Sequence, residues 1–275
     1  MTSIRAGAST SINSDYTPRA ISWRIQCRVV GALLMREVLT RYGRHNIGVL
    51  WLIVEPMLFT LGVATLWQVA RMHSDGPIPV IGFAVTGYST VLLWRNASNR
   101  CAKAIEPNLS LMYHRHVKVL DIFAARVILE LAGATASLAI LSCLFIGWGS
   151  MPVPVDLLTV VISWLLLCWF SAALGLIVGA VSERSELFER VWHIVTYLMF
   201  PLSGAVYMVH WLPKEAQEVV LWFPMVHGVE GLRHGYFGSA VHTYEQPFFF
   251  LQCNLGMSLL GLILVRQTAR SVRPE

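Results

Sequence analysis

Asn46–Ala70 reads NIGVLWLIVEPMLFTLGVATLWQVA, an apolar run of membrane-spanning length interrupted near its middle by Glu55–Pro56. A spanning helix needs roughly 20 mainly apolar residues. A charged carboxylate at mid-membrane costs about 2.5–3.5 kcal/mol on insertion scales. Glu55 must therefore be neutral, paired, or turned toward a wet cavity. Pro56 removes the hydrogen bond to the Leu52 carbonyl and favours a kink. Trp51 lies one turn before Glu55 on the same helix face and Phe59 one turn after it. That aromatic–carboxylate–aromatic stripe beside a kink suits the wall of a hydrated conduit. A protonated Glu55 bonded to a neighbouring helix is the alternative.

Composition places this run in a membrane protein. Hydrophobic residues make up 55% of the 275-residue chain and charged residues 13%, against about 25% charged in an ordinary soluble domain. Asp156 is the one charged residue between positions 131 and 182. Six segments qualify as spans, approximately 47–70, 77–97, 124–148, 157–181, 191–212 and 246–265. The fifth is interrupted by Pro201, Ser203 and Gly204, which fits either one broken helix or a re-entrant pair. Such breaks survive at membrane depth where protein or a wet cavity satisfies the freed backbone. The expected fold class is an all-α membrane protein, with an N-terminal amphipathic interface helix, six transmembrane helices and short external helices before the last span.

The opening residues MTSIRAGASTSINSDYTPRA are polar and lack the apolar core of a signal peptide, so residues 1–19 read as a flexible cytoplasmic start. With that end inside, the internal segments are 1–46, 98–123, 182–190 and the tail 266–275. Of the 21 lysines and arginines, only Arg71, Lys214 and Arg233 fall outside, which fixes both termini in the cytoplasm by the positive-inside rule. The formal charge of +5 is thus topological and gives no ground for nucleic-acid binding. Residues 20–46 form the interface helix. Trp23, Cys27, Val30, Leu34 and Val38 share one stripe, and Gln26, Arg36, Glu37 and Thr40 lie opposite. Val29 and Leu33 on that opposite side offer a protein contact. The external segment 213–245 holds two stretches, KEAQEVVLWF and VHGVEGLRHGYFG, that read as short helices outside the membrane.

Tests for other chemistry come out negative or bland. The three lysines follow Ala102, Val117 and Pro213, so no glycine-rich phosphate loop exists. No DxD is present, and Cys27, Cys101, Cys143, Cys168 and Cys253 show neither disulfide nor metal-ligand spacing. His114 and His116 read as solvated loop residues. His227, Glu230, Arg233 and His234 recur at helical spacing; a helix surface or a dimer contact is the plainer reading, catalysis the sharper one. Ser171, Gly175 and Gly179 form a ladder for close helix approach. At the inner end of span two, Arg95, Asn96, Asn99, Arg100 and Lys103 would share a face about 140° wide if helical. That face either guides an anionic polymer by its focused field or anchors the helix among lipid phosphates.

Three motifs carry a family resemblance. LLMREVLTRYGRHNIGVLWLIVEP resembles the N-terminal signature of ABC-2 type polysaccharide-export permeases, especially capsule exporters, through Arg36, Glu37, Arg41, Tyr42, Gly48, Leu50, Trp51, Glu55 and Pro56. The loop AIEPNLSLMYHRHVKVLDIFAARVILE is similar to the same family's second motif at Ile105, Glu106, Asn108, Val117, Lys118, Asp121, Arg126 and Glu130. FPMVHGVEGLRHGYFG keeps Pro224, His227, Glu230 and Arg233 of the external motif, with Phe223 in place of the usual asparagine. The resemblance covers about residues 30–265. It implies a homodimeric channel, not itself an enzyme, working with two copies of a separate ATPase that binds ATP and magnesium; no cofactor or metal belongs to this chain. The implied coupling residues are Arg36, Glu37, Arg41, Glu106, Lys118 and Asp121. The implied cargo is a lipid-linked, usually acidic, capsular polysaccharide leaving across a bacterial inner membrane. Outer partners would be a periplasmic co-polymerase and an outer-membrane exporter. Exporters of O-antigen or teichoic acid, and a polytopic sugar transferase, are the alternatives.

Overall fold

The computed structural model describes residues 18–42, 47–70, 78–112 and 117–271, with side chains from Trp23 to Thr40 and from Leu50 onward in the first two segments. Ten α-helices and no strand occur among them. They are α1 (Pro18–Tyr42), α2 (Ile47–Val69), α3 (Val80–Cys101), α4 (Leu109–Met112) and α5 (Val119–Gly147), followed by α6 (Leu157–Ser182), α7 (Glu186–Leu202), α8 (Lys214–Val220), α9 (Pro224–Phe237) and α10 (Pro247–Ser271). Residues 1–17, the histidines at 114 and 116, and the last four residues lie outside the described part. The interface helix begins at Pro18, inside the stretch expected to be flexible.

Four helices, α2, α5, α6 and α10, are long and apolar enough to cross a membrane. The expected second span, α3, is not among them, yet it is the centre of the bundle. Phe83, Leu93, Trp94 and Ala97 are almost wholly buried, and α2, α5 and α6 all pack on it. A helix wrapped by other helices meets little lipid, so it can carry Arg95 and Arg100 without the hydropathy a lipid-facing span requires.

The fifth expected span, 191–212, is not one straight helix. α7 has 17 residues, about 25 Å of helix, short of the roughly 30 Å hydrocarbon core. It ends where Pro201 removes a donor and Gly204 takes φ +77°. The chain then folds back on α3. A Cβ on Gly87 would stand 2.2 Å from the Ala205 carbonyl oxygen, so only glycine permits that approach.

α8 and α9 match the two expected short helices, but α9 is not outside the bundle. Its row Gly228, Gly231, Gly235 runs along Leu167, Ser163 and Val160 of α6, a descent of about 10 Å antiparallel to the first half of that span. α10 runs parallel to α6: Asn254 donates to the Leu166 carbonyl (3.0 Å) and Thr268 to that of Ala180 (3.1 Å). The small-residue ladder faces the other way, Gly175 and Gly179 admitting the inner end of α3 and Phe123 of α5.

Local signals set the helix starts. Asp156 caps α6 by accepting from the N–H groups of Leu158 (2.9 Å) and Thr159 (3.2 Å). The Lys118 N–H donates to Asp121 Oδ2 (2.8 Å) while the Asp121 N–H donates to the Lys118 carbonyl (2.9 Å), which starts α5 inside the expected 98–123 loop. The true connection is correspondingly shorter. α1 packs on α5 through the face that carries Leu33, which is buried, and leaves Trp23, Met35 and Leu39 exposed.

Candidate functional site

Trp51, Glu55, Pro56, Leu58 and Phe59 of α2 meet Leu92, Arg95 and Asn96 of α3 around one open groove of about 400 Å³. The Arg95 guanidinium lies 5.6 Å from the centroid of the Phe59 ring, within cation–π range. Trp51 is 49% and Phe59 46% exposed, and Glu55 is exposed between them. Within this chain Glu55 therefore bears no burial cost. Pro56 is buried without ending α2. The Leu52 carbonyl it frees lies against Gly133 of α5, where a Cβ would stand only 2.9 Å away.

Above the groove runs a row of aromatic rings that sequence reasoning did not pick out. Phe59 and Tyr88 are 5.9 Å apart between centroids, and Tyr88 lies 5.5 Å from Trp67 and 5.4 Å from Phe200. Trp67 continues to Phe83 at 6.0 Å, and Phe83 to Trp211 at 5.3 Å. Trp67 and Phe83 are buried, so the groove is closed above Tyr88. The signal was present: Trp67 falls two turns after Phe59, and Arg95 two turns after Tyr88, which puts each pair on one face.

The expected basic face divides. Arg95 and Asn96 enter the groove. Arg100 turns to α5, with its Nε 3.5 Å from Glu130, whose side chain is 8% exposed. Its carbonyl accepts from Arg126 at 2.7 Å. Lys103 lies beyond the end of α3 at Cys101, in the left-handed region at φ +48°, and its N–H donates to Ser182 Oγ at 3.1 Å. The helix stops one turn too early for a common stripe, and a buried carboxylate draws Arg100 away.

The coupling residues also separate. Arg36 donates to the Asn108 side chain and to the Pro107 carbonyl (3.4 Å), and Asn108 donates on to the Ala104 carbonyl (2.8 Å). Glu37 lies 3.4 Å from Arg126. α1 is thus tied both to the loop after α3 and to the base of α5. Glu183, at the end of α6, accepts from the Ile105 N–H at 2.7 Å and holds the same loop from the other side. Its signal was a lone acid where an apolar run ends. Glu106 and Lys118 are exposed, whereas Asp121 is buried and spent on capping. The Arg41 side chain lies outside the described residues.

His227, Glu230 and Arg233 form neither a helix surface nor a contact left for a second molecule; they are buried and bonded to backbone. Arg233 donates to the carbonyls of Gly204 (2.7 Å), Tyr207 (2.7 Å) and Ala205 (2.6 Å), and stands 3.9 Å over the Phe83 ring. Glu230 accepts from the N–H groups of Val209 (3.3 Å) and Tyr244 (3.2 Å). His227 Nε2 pairs with the Leu221 carbonyl (2.9 Å), and Nδ1 accepts from the Gln246 N–H (3.1 Å). Those partners require the neutral ring with its proton on Nε2. Arg233, with Glu230 at the Val209 N–H, satisfies the irregular backbone after the α7 break, while His227 and the second oxygen of Glu230 serve the segments on either side of α9. His234 stands apart, half-exposed and paired with Glu245.

A bundle of long apolar helices, a groove walled by aromatic and charged side chains, and a polar tie at one end fit the membrane-spanning subunit of a transporter. The chain belongs to the ABC-2 type transporter family, whose model matches residues 28–237. Among relatives, it is 47% identical over 253 residues to the capsule polysaccharide export inner-membrane protein CtrC of Neisseria meningitidis serogroup A, covering 91% of this chain and 95% of that one. It is 43% identical to the capsule polysaccharide export inner-membrane protein BexB of Haemophilus influenzae, over 95% of this chain and 98% of the relative. Identity to the polysialic acid transport protein KpsM of Escherichia coli is 30%, over 86% and 94% of the two chains.

Proposed function

We propose that this chain is the channel-forming permease subunit of an ATP-driven exporter that carries lipid-linked, acidic capsular polysaccharide across the inner membrane. The names of its relatives support the substrate class. The mechanism rests on one observation: Trp51, Glu55 and Phe59 from one helix and Arg95 from another converge on a single open groove. Sugar rings present apolar faces to stack on indole and phenyl rings, and hydroxyls that bond to carboxylate and amide. Arg95 offsets the polymer's negative charge. Water and polar substrate in the groove remove the cost of placing Glu55 at membrane depth.

The groove is one-sided, and a second copy closes it. α7 supports this reading: Leu187, Val191, Ile194 and Leu198 are 45–72% exposed at the 4-3-4 spacing of a helix-pairing seam. In the homodimer each copy binds one ATPase subunit at the surface made by α1 and the Glu106 turn. ATP and magnesium belong to that subunit, and this chain performs no hydrolysis. Both termini lie in the cytoplasm. At the other face the polymer passes to a periplasmic co-polymerase and an outer-membrane exporter.

The test is export of surface polysaccharide by Trp51→Ala/Phe59→Ala. Losing two stacking partners, each worth about 0.5–1.5 kcal/mol, should reduce export several-fold at normal protein level, with Trp51→Phe retaining most of it. Unchanged export by the double variant would remove the groove from the path.

A further inference from the structure

On the side of α6 turned away from the groove, α9 and the start of α10 enclose a second cavity of about 450 Å³. That volume falls among small-ligand sites, roughly 300–1,000 Å³. Ile162, Leu166 and Phe250 supply apolar wall; Ser163, His234 and Glu245 supply polar rim. Both flanking helices, α6 and α10, are long and apolar enough to cross a membrane. Ile162 at the mouth is 48% exposed, so the cavity opens sideways onto the lipid-facing surface. A polar rim over an apolar wall calls for an amphiphile.

The rim specifies its polar end. His234 occupies Glu245 Oε1, while Glu245 Oε2 is buried and meets no donor of hydrogen-bond geometry among the described residues. Burial pushes this carboxyl up. The Thr243 hydroxyl, the N–H of residue 245 and His234 lie close enough to outweigh that and hold it below the usual carboxylate range. The result is an anion with an unfilled acceptor, a costly state unless a donor arrives. Of the neighbouring polar groups, His227 and Thr159 are already committed. Both His227 nitrogens are bonded to backbone, and the Thr159 hydroxyl donates to Asp156 at 2.5 Å. A cationic donor is the group that complements an ionised carboxylate in this position.

We propose that this cavity binds one phospholipid whose headgroup carries a primary ammonium, the N–H groups reaching the Glu245 carboxylate at the rim and the upper acyl chains lying along Ile162 and Leu166. The binding does not depend on the orientation given under the proposed function. Lipid retention by the purified chain is also read without export, so the two readings fail separately.

The experiment is native mass spectrometry of the full-length protein carried from nanodiscs of equimolar phosphatidylethanolamine and phosphatidylcholine. The trimethylated headgroup keeps the charge and lacks N–H donors. One charge-assisted hydrogen bond should favour the ethanolamine lipid about tenfold. Glu245→Gln should bring that preference within about twofold. Ile162→Trp, which fills the mouth and leaves the Glu245–His234 pair intact, should abolish retention of the tightly held lipid. Equal retention of the two lipids by the wild type overturns the proposal, whether or not Glu245→Gln folds. An ethanolamine preference that survives Ile162→Trp assigns it to ordinary boundary lipid and also overturns it. So does a photo-crosslinker at position 162 that captures a protein chain and no lipid in native membranes.

Discussion

Replacing Arg233 with methionine keeps a long, flexible side chain of similar reach and removes the guanidinium. Three backbone carbonyls, of Gly204, Ala205 and Tyr207, lose donors at 2.6–2.7 Å, and Phe83 loses the cation 3.9 Å above its ring. Glu230 keeps its two backbone donors but loses the nearby positive charge that favours its ionised form. Removing one member of a buried charged network costs about 3–5 kcal/mol. At about 2–4 °C per kcal/mol for a chain of this size, the apparent melting temperature should fall by about 6–20 °C. The assay is thermal aggregation of the detergent-solubilised protein, followed by fluorescence-detected gel filtration. Arg233→Lys restores the charge without the planar fork that reaches three acceptors at once, so it should recover less than half of the loss. A melting temperature for Arg233→Met within 2 °C of wild type, or full recovery by lysine, would refute the view that this side chain holds the α7 break closed.

Gly87→Ala should destabilise strongly in the same assay, because its Cβ would stand 2.2 Å from the Ala205 carbonyl oxygen. Gly62→Ala, which meets nothing within 4 Å, should be neutral or gain about 0.5–1 kcal/mol of helix propensity. For Arg100, a double-mutant cycle with Glu130→Gln should give a coupling of about 0.5–3 kcal/mol in stability; zero coupling would return Arg100 to the role of polymer guide. Glu106→Lys sits on an exposed turn and should leave stability within about 0.5 kcal/mol while lowering export and ATPase copurification. Full export by that variant would end the docking role.

How much of this was readable in the sequence follows from what each residue faces. α2, α5, α6 and α10 touch lipid and must be apolar, so their runs announce them. α3 is shielded by its neighbours and reads weakly, although its expected bounds, 77–97, fall close to Val80–Cys101. Trp51, Glu55 and Phe59 were legible because one helix face carries all three at one-turn spacing. Arg100 and Lys103 were misplaced because the end of α3 is set by contacts from Ser182 and Glu130, some 30 or more residues away. The triad His227, Glu230, Arg233 has a clear spacing, yet its burial is invisible locally. Charged side chains go inside only when backbone groups from distant segments receive them, and residues 204–209 give no local sign that they will.

The packing also says which element must move for a polymer to pass. α3 is held at its C-terminal end by Arg100 with Glu130 and by Arg126 on the Arg100 carbonyl. In its N-terminal half Gly87 abuts Ala205, and Phe83 lies under Arg233. Displacing α3 would break both sets. What closes the groove between them is Tyr88, held by Phe59 and Trp67 of α2 and by Phe200 of α7. α2 is tied to α5 through Leu52 and Gly133. Within one chain α7 has few comparable ties, since Thr196 is its one fully buried residue; in the proposed dimer its seam partner would hold it. Opening the path above the groove then means that α7 and that partner shift together, withdrawing Phe200 and letting Tyr88 turn, with α3 as the fixed wall. Residues 183–185 join α7 to α6, and Glu183 accepts from the Ile105 N–H of the loop after α3 at 2.7 Å, so they form one direct link between that loop and α7.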